Sequence, residues 1–157
     1  MLKGKKIRLR TLLRTDLEFL QKIENDKSLW EYGSDRKIFT KEELTNYIKN
    51  SSEKIQQAKQ FRFVVDYNNI PIGFVDLFEY KDISAGVGII IEKEYQKRGF
   101  ASESLKLLIN YSLEEIKLKN LHCKISKYNL RSIQLFTSYG FAFTKEKDDL
   151  YFYTLTL

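Results

Sequence analysis

The residues best suited to chemistry lie between Gly86 and Ser104, GVGIIIEKEYQKRGFASES, where a β-branched run passes through a short polar turn into a helical pattern. Val87, Ile89, Ile90 and Ile91 predict a strand buried on both faces. Ala101, Leu105, Leu108, Ile109, Ser112 and Ile116 then recur at spacings that share one helix face. The turn between them, Gln96-Lys97-Arg98-Gly99-Phe100-Ala101, therefore sits at a helix N-terminus facing out from the end of a strand. The first amides of a helix lack intrahelical partners and carry the positive end of its dipole. Successive N–H groups around Arg98 to Ser102 thus suit an anion, most naturally a pyrophosphate, and Gly99 lets the backbone approach it. The turn has neither the Gly-Lys-Ser/Thr of a Walker loop nor the three glycines of a dinucleotide fingerprint. A plain strand-to-helix turn is the competing reading.

The elements that must position this turn fit one domain spanning residues 1–157. A hydrophobic content of 43% is globular, and no apolar run approaches the ~20 residues that span a bilayer. The basic opening Met-Leu-Lys-Gly-Lys-Lys is followed by no apolar signal region, so a cytoplasmic protein away from membranes is expected. With Cys123 and His122 the only residues of their types, an internal disulfide and a cysteine or histidine metal cluster are excluded, and no metal is expected. Neighbours on a strand point to opposite faces, so the two do not form a dyad, and His122 reads as an ordinary strand residue. The net charge of +6 calls for an anionic partner. No run of five basic residues and no aromatic-basic RNA signature occurs, so nucleic acid is not expected, and a polyanionic cofactor near Lys93, Lys97 and Arg98 is drawn by the same field.

In chain order, Lys6 to Leu12 reads as a strand, and Thr15-Asp-Leu-Glu18 as a capping box opening a helix that ends near Asn25-Asp26. Lys27 to Thr40 is loop-like. Thr40-Lys-Glu-Glu43 caps a second helix with Leu44, Tyr47 and Ile48 inward, and a further helical stretch reaches toward Lys59. Phe61 to Asp66 and Ile70 to Tyr80 form a hairpin about Asn68-Asn69, and a turn near Asp82-Ile83-Ser84 leads to the central strand. Beyond the helix come a strand at Leu121 to Ser126, a helix at Asn129 to Tyr139, and a closing strand pair at Phe141 to Phe143 and Leu150 to Leu157. A polar turn at Glu146 to Asp149 separates those last two strands.

Gln96 to Ala101 resembles the Q/R-x-x-G-x-G/A signature of the GNAT superfamily of N-acetyltransferases, with Ala101 in the last slot. Asn129-Leu-Arg-Ser through Gly140-Phe141 is similar to that family's N-x-x-S/A…G-F helix. The opening Ile7-Arg8-Leu9-Arg10 with Asp16, and the Asn25-Asp26…Leu29-Trp30 run, resemble the branch of ribosomal-protein N-terminal and spermidine/diamine acetyltransferases. The resemblance implies an α/β fold. Six or seven strands would form a mixed, mostly antiparallel sheet with helices on both faces and a splayed central strand. It also implies acetyl-CoA as cofactor and acetyl transfer to a primary amine of a polyamine, an amino-sugar or a protein N-terminus. A non-catalytic acyl-CoA-binding sensor is the alternative, and the reading allows a homodimer.

The resemblance further assigns the pyrophosphate to Gln96, Lys97, Arg98, Gly99, Phe100, Ala101 and Ser102. The pantetheine arm goes to the backbone near Ile89, Ile90 and Ile91, with Asn129 and Phe136 alongside. Capping its own helix is the competing role for Asn129. The acid and base depart from the pattern. The family's general-acid tyrosine position is Phe136, whose ring donates no proton, which turns attention to Ser132 and especially Tyr139 on the same helix side. The family's strand glutamate position is Gly86. Candidate proton acceptors and acceptor contacts are Asp76, Glu79 and Asp82 on the neighbouring strand and turn, and Glu24, Glu31 and Trp30 near the acceptor loop.

Overall fold

A computed structural model describes residues 1–29 and 37–157. Trp30 and Glu31 lie outside the described residues. Eight strands form one sheet: β1 (Leu2–Lys3), β2 (Arg8–Thr11), β3 (Phe61–Tyr67), β4 (Ile70–Lys81), β5 (Ser84–Ile91), β6 (Asn120–Ser126), β7 (Ala142–Lys147) and β8 (Leu150–Thr156). Their order is β1-β2-β3-β4-β5-β6-β8-β7, and the parallel pair is β5 with β6. The sheet exceeds the expected six or seven strands because Leu2 and Lys3 pair with Leu9 and Arg8, a ladder too short to leave a periodic signal. Five α-helices lie among the described residues: α1 (Leu17–Glu24), α2 (Lys41–Asn50), α3 (Ile55–Ala58), α4 (Phe100–Glu114) and α5 (Leu130–Ser138).

Hairpin turns are set locally. Asn68 and Asn69 take positive φ of 50° and 66° between β3 and β4, the geometry that matches strand twist. Asp148 and Asp149 do the same between β7 and β8, at 53° and 62°. Two residues therefore suffice to reverse the chain there. Glu146 and Lys147, expected in the turn, instead extend β7 and pair with Tyr151 and Leu150.

The sheet separates two apolar cores. Leu20 and Ile23 of α1 and Leu44 and Ile48 of α2 pack with Val64 and Phe74 on one face. Leu105 and Leu108 of α4 and Phe136 of α5 pack with Val65, Val75, Val87 and Leu121 on the other. Thr40 caps α2 as expected, its hydroxyl accepting from Glu43 N–H at 3.1 Å while the Glu43 carboxylate accepts from Thr40 N–H at 3.1 Å. The expected box at Thr15 does not form. Asp16 is buried, its carboxylate clamped by Arg10 at 2.8 Å on both oxygens and by Leu13 N–H at 2.7 Å, so a short 3₁₀ turn over Arg14–Asp16 precedes α1.

Arg10 also donates to buried Asp66 at 2.8 Å, joining the start of α1 to β3 through β2. Burial resists the charged form of Asp66, yet Arg10 and Arg8 outweigh it and hold its pKa below the usual carboxylate value. Glu103, in the first turn of α4, accepts the backbone N–H groups of Lys5 at 3.0 Å, Lys6 at 3.0 Å and Ile7 at 2.7 Å.

Candidate active site

The parallel ladder between β5 and β6 is short: Ser84 pairs with Asn120, Ala85 with Leu121 and Gly86 with His122, and there the registered pairing stops. Glu92 N–H bonds to Ile72 O on β4 at 2.8 Å. The alternation of an antiparallel ladder then turns the N–H and C=O of Ile91 and Ile89 away from β4 and into the gap. Gln96 Nε2 occupies the Ile91 carbonyl at 2.8 Å. Ile89 thus presents a donor and an acceptor to a slot between diverging strands, where an extended amide chain pairs as an added strand.

At the end of that slot the backbone bends sharply. Lys97 has φ 62° and Gly99 φ 85°, flanking Arg98 immediately before α4. Gln96 is fixed from both sides, since its Oε1 accepts from Arg131 Nη2 of α5 at 2.7 Å. Lys6 Nζ reaches Arg98 O at 3.5 Å and adds a cation beside the turn. The Arg98 guanidinium lies over Tyr67, Tyr95 and Phe100, 5.5, 5.6 and 5.1 Å from the ring centroids. Arg98 therefore commits its side chain to aromatic stacking and offers the turn its backbone. Phe100 is buried beneath it, and Ala101 and Ser102 complete the first turn of α4.

The α5 residues divide their roles. Asn129 Oδ1 caps its own helix, accepting from Ser132 N–H at 3.3 Å. Phe136 is buried and meets Phe141 edge-on, ring centroids 5.1 Å apart. Tyr139, at the C-cap, places its hydroxyl 2.9 Å from Ser102 Oγ and donates to Ser102 O at 3.0 Å. Its oxygen is thus held on the first turn of α4.

On the α1/α2 face of the sheet a cleft of about 360 Å³ opens. Its lining includes Glu24, Glu43 and Asp76, three carboxylates against the single guanidinium of Arg62, with Phe39, Tyr47, Phe61 and Phe78 as aromatic walls. Asp76 grips Arg62 with both oxygens, at 2.6 Å to Nε and 2.9 Å to Nη2, and Arg62 Nη1 also pairs with Glu24. The guanidinium lies over Tyr47 and Phe74, 5.5 and 5.0 Å from their centroids. Burial opposes its charge, yet Asp76 and Glu24 keep it protonated with a pKa raised above the ordinary arginine value. Glu43 pairs with Lys37 at 2.9 Å. Of the acceptor residues expected on β4, Asp76 lines the cleft, whereas Glu79 sits exposed at φ 48°, where the β4–β5 register shifts. Asp82 is in the following turn, at φ 55°.

Cleft and slot adjoin at β5. Asp76 is the register partner of Gly88, and Phe78 of Gly86. A Cβ at Gly86 would stand 2.5 Å from the Phe78 ring, so that ring fills the space of the side chain the family pattern places there. Reading the sequence alone missed Arg62, Phe78, Lys6 and Arg131. Each acts across strands or helices distant in sequence, and only the alternation at Arg62 carried a local trace.

A family model described as an acetyltransferase (GNAT) domain matches residues 6–142. The spermidine N(1)-acetyltransferase of Escherichia coli is 28% identical over 87% of this chain and 73% of its own length. The crystal structure of spermidine N-acetyltransferase from Vibrio cholerae in complex with CoA and spermine superposes with a TM-score of 0.87 at 25% identity, covering 98% of this chain and 96% of that one. RimL, a ribosomal alpha-N-protein acetyltransferase in complex with coenzyme A, superposes with a TM-score of 0.85 at 15% identity over 98% and 96% of the two chains. That likeness is of fold.

Proposed function

The chain belongs to the GNAT acetyltransferase family, and we propose that the amine it acetylates is that of a polyamine. The protein is an acetyl-CoA-dependent N-acetyltransferase acting on a primary amine. The relatives are named acetyltransferases, which favours the enzyme over a non-catalytic sensor.

The acceptor reading rests on the cleft, where three carboxylates among four aromatic side chains outnumber the Arg62 guanidinium and the Lys37 ammonium that pair with them. A flexible polycation gains from carboxylates at its ammonium groups and from ring faces along its length. A peptide N-terminus or an amino-sugar carries one cation and has less use for several carboxylates. The matching relatives' names support the same choice. We assign the pantetheine arm to the slot at Ile89, whose N–H also polarises the thioester carbonyl. The pyrophosphate goes to the backbone of Lys97 to Ser102, with Lys6 beside it. Asn129 keeps its Nδ2 amide for the arm while its Oδ1 caps α5. When bound, acetyl-CoA supplies the activated acetyl group, and this chain's residues align the amine with it.

The test is thiol release across spermidine, spermine, N-terminal peptides and amino-sugars. The expected result is a kcat/KM for polyamines at least about tenfold above every other acceptor, a difference of ~1.4 kcal/mol in barrier. Robust release with peptides or amino-sugars and none with polyamines would overturn the acceptor while leaving the enzyme class intact. The homodimer remains a proposal, checked by light scattering.

A further inference from the structure

We propose that His122 is the proton acceptor for the incoming amine. The inference rests on the acetyl-transfer reaction, and on the polyamine reading only for the choice of probe. His122 is the register partner of Gly86, in the last β5–β6 pair before the strands part. Paired residues of neighbouring strands set their side chains on the same face. For Gly86 that is the face of Phe78 and Asp76: a Cβ there would meet the Phe78 ring, and one at Gly88 would lie 3.7 Å from Asp76 Oδ2. The His122 imidazole meets the same Phe78 ring edge-on, centroids 6.3 Å apart and planes at 86°. Phe78 in turn walls the cleft. The half-buried imidazole therefore stands where cleft and slot join, beside the position that Gly86 leaves without a side chain.

Asp76, on the same face, already has both its oxygens engaged by the Arg62 guanidinium. Imidazole is the side chain most often used as a general base, because it exchanges protons near neutral pH. By register and spacing the groups around it are Lys124 and Asn120 on β6, Thr154 on β8, Phe78 on β4, and Lys81, which pairs with Ser84 two residues before Gly86.

The neutral imidazole takes one proton from the ammonium, and the freed nitrogen lone pair forms the N–C bond to the acetyl carbon as the C–S bond breaks. The electron pair of that bond stays on sulfur, which a second amine proton neutralises, and the imidazolium returns its proton to solvent.

Because His122 is the only histidine, its imidazole signals in an NMR pH titration are unambiguous. With coenzyme A bound, spermidine is expected to lower the imidazole pKa, since a nearby like charge disfavours protonation. In wild type the ascending limb of kcat against pH is expected to follow the pKa measured with both ligands present. His122→Gln is expected to lose about 100-fold in kcat at pH 7 and to lose that limb, with the Kd for acetyl-CoA within about twofold. An unchanged pH profile in His122→Gln, or a loss under about threefold, overturns the proposal. Should that variant fail to fold, a wild-type titration insensitive to every turned-over amine overturns it instead. If another amine proves to be the acceptor, the same experiments run with that amine, so failure of the polyamine reading stays separate.

Discussion

At the scale of single residues, Tyr139 and Phe136 show how one hydroxyl can be present and yet be spent. Tyr139 OH donates to Ser102 O and shares a bond with Ser102 Oγ, so it braces α5 against the first turn of α4. Tyr139→Phe is expected to weaken acetyl-CoA binding a few-fold and to lower the melting temperature, with about 1 kcal/mol for each bond lost. Turnover at saturation should fall well under tenfold. A hundredfold loss of kcat with unchanged acetyl-CoA affinity would instead make Tyr139 the acid that protonates the departing sulfur. Nothing in the neighbouring sequence announces the brace, because Ser102 and Tyr139 belong to helices separated by a strand.

At the scale of elements, the strand-turn-helix unit from β5 to α4 carries the cofactor assignment. Its sequence was readable because every determinant is local: a β-branched run, a helix-period face, and a glycine where φ must be positive. Gly99→Val tests it. At φ 85° a β-branched residue is strained, and its Cβ would stand 4.0 Å from Lys6 Nζ, beside the cation next to the turn. Affinity for acetyl-CoA is expected to drop tenfold or more by calorimetry, in a protein that still melts cooperatively. Unchanged affinity would place the phosphates elsewhere. The acceptor cleft was less legible for the complementary reason. Arg62 on β3 is gripped by Asp76 on β4 and Glu24 on α1, so the site exists only once three elements are assembled. His122 is hidden in the same way: as a sequence neighbour it is one more strand residue, and only its register with Gly86 brings it to the mouth of the slot.

At the scale of the whole molecule, two cores on opposite faces of one sheet are joined through polar ties at its first strands. Asp66 is such a tie, buried and bonded to Arg10 and Arg8. Its folded pKa is depressed, so its contribution is complete above the unfolded value of about 3.9 and is lost as pH falls through the lower folded value. Asp66→Asn is expected to cost roughly 3 kcal/mol at pH 7, and the gap between the two melting curves should narrow as pH falls below about 4. A gap of equal size at pH 2.5 would show that Asp66 acts by packing and not by charge. The Glu103 carboxylate, taking three consecutive backbone N–H groups from Lys5 to Ile7, ties the opening strands to the first turn of α4. Those amides can exchange with deuterium only when that clasp opens. Whatever steadies the first turn of α4 must slow their exchange, which makes the amides of residues 5–7 a gauge of how often the adjoining cofactor turn is occupied.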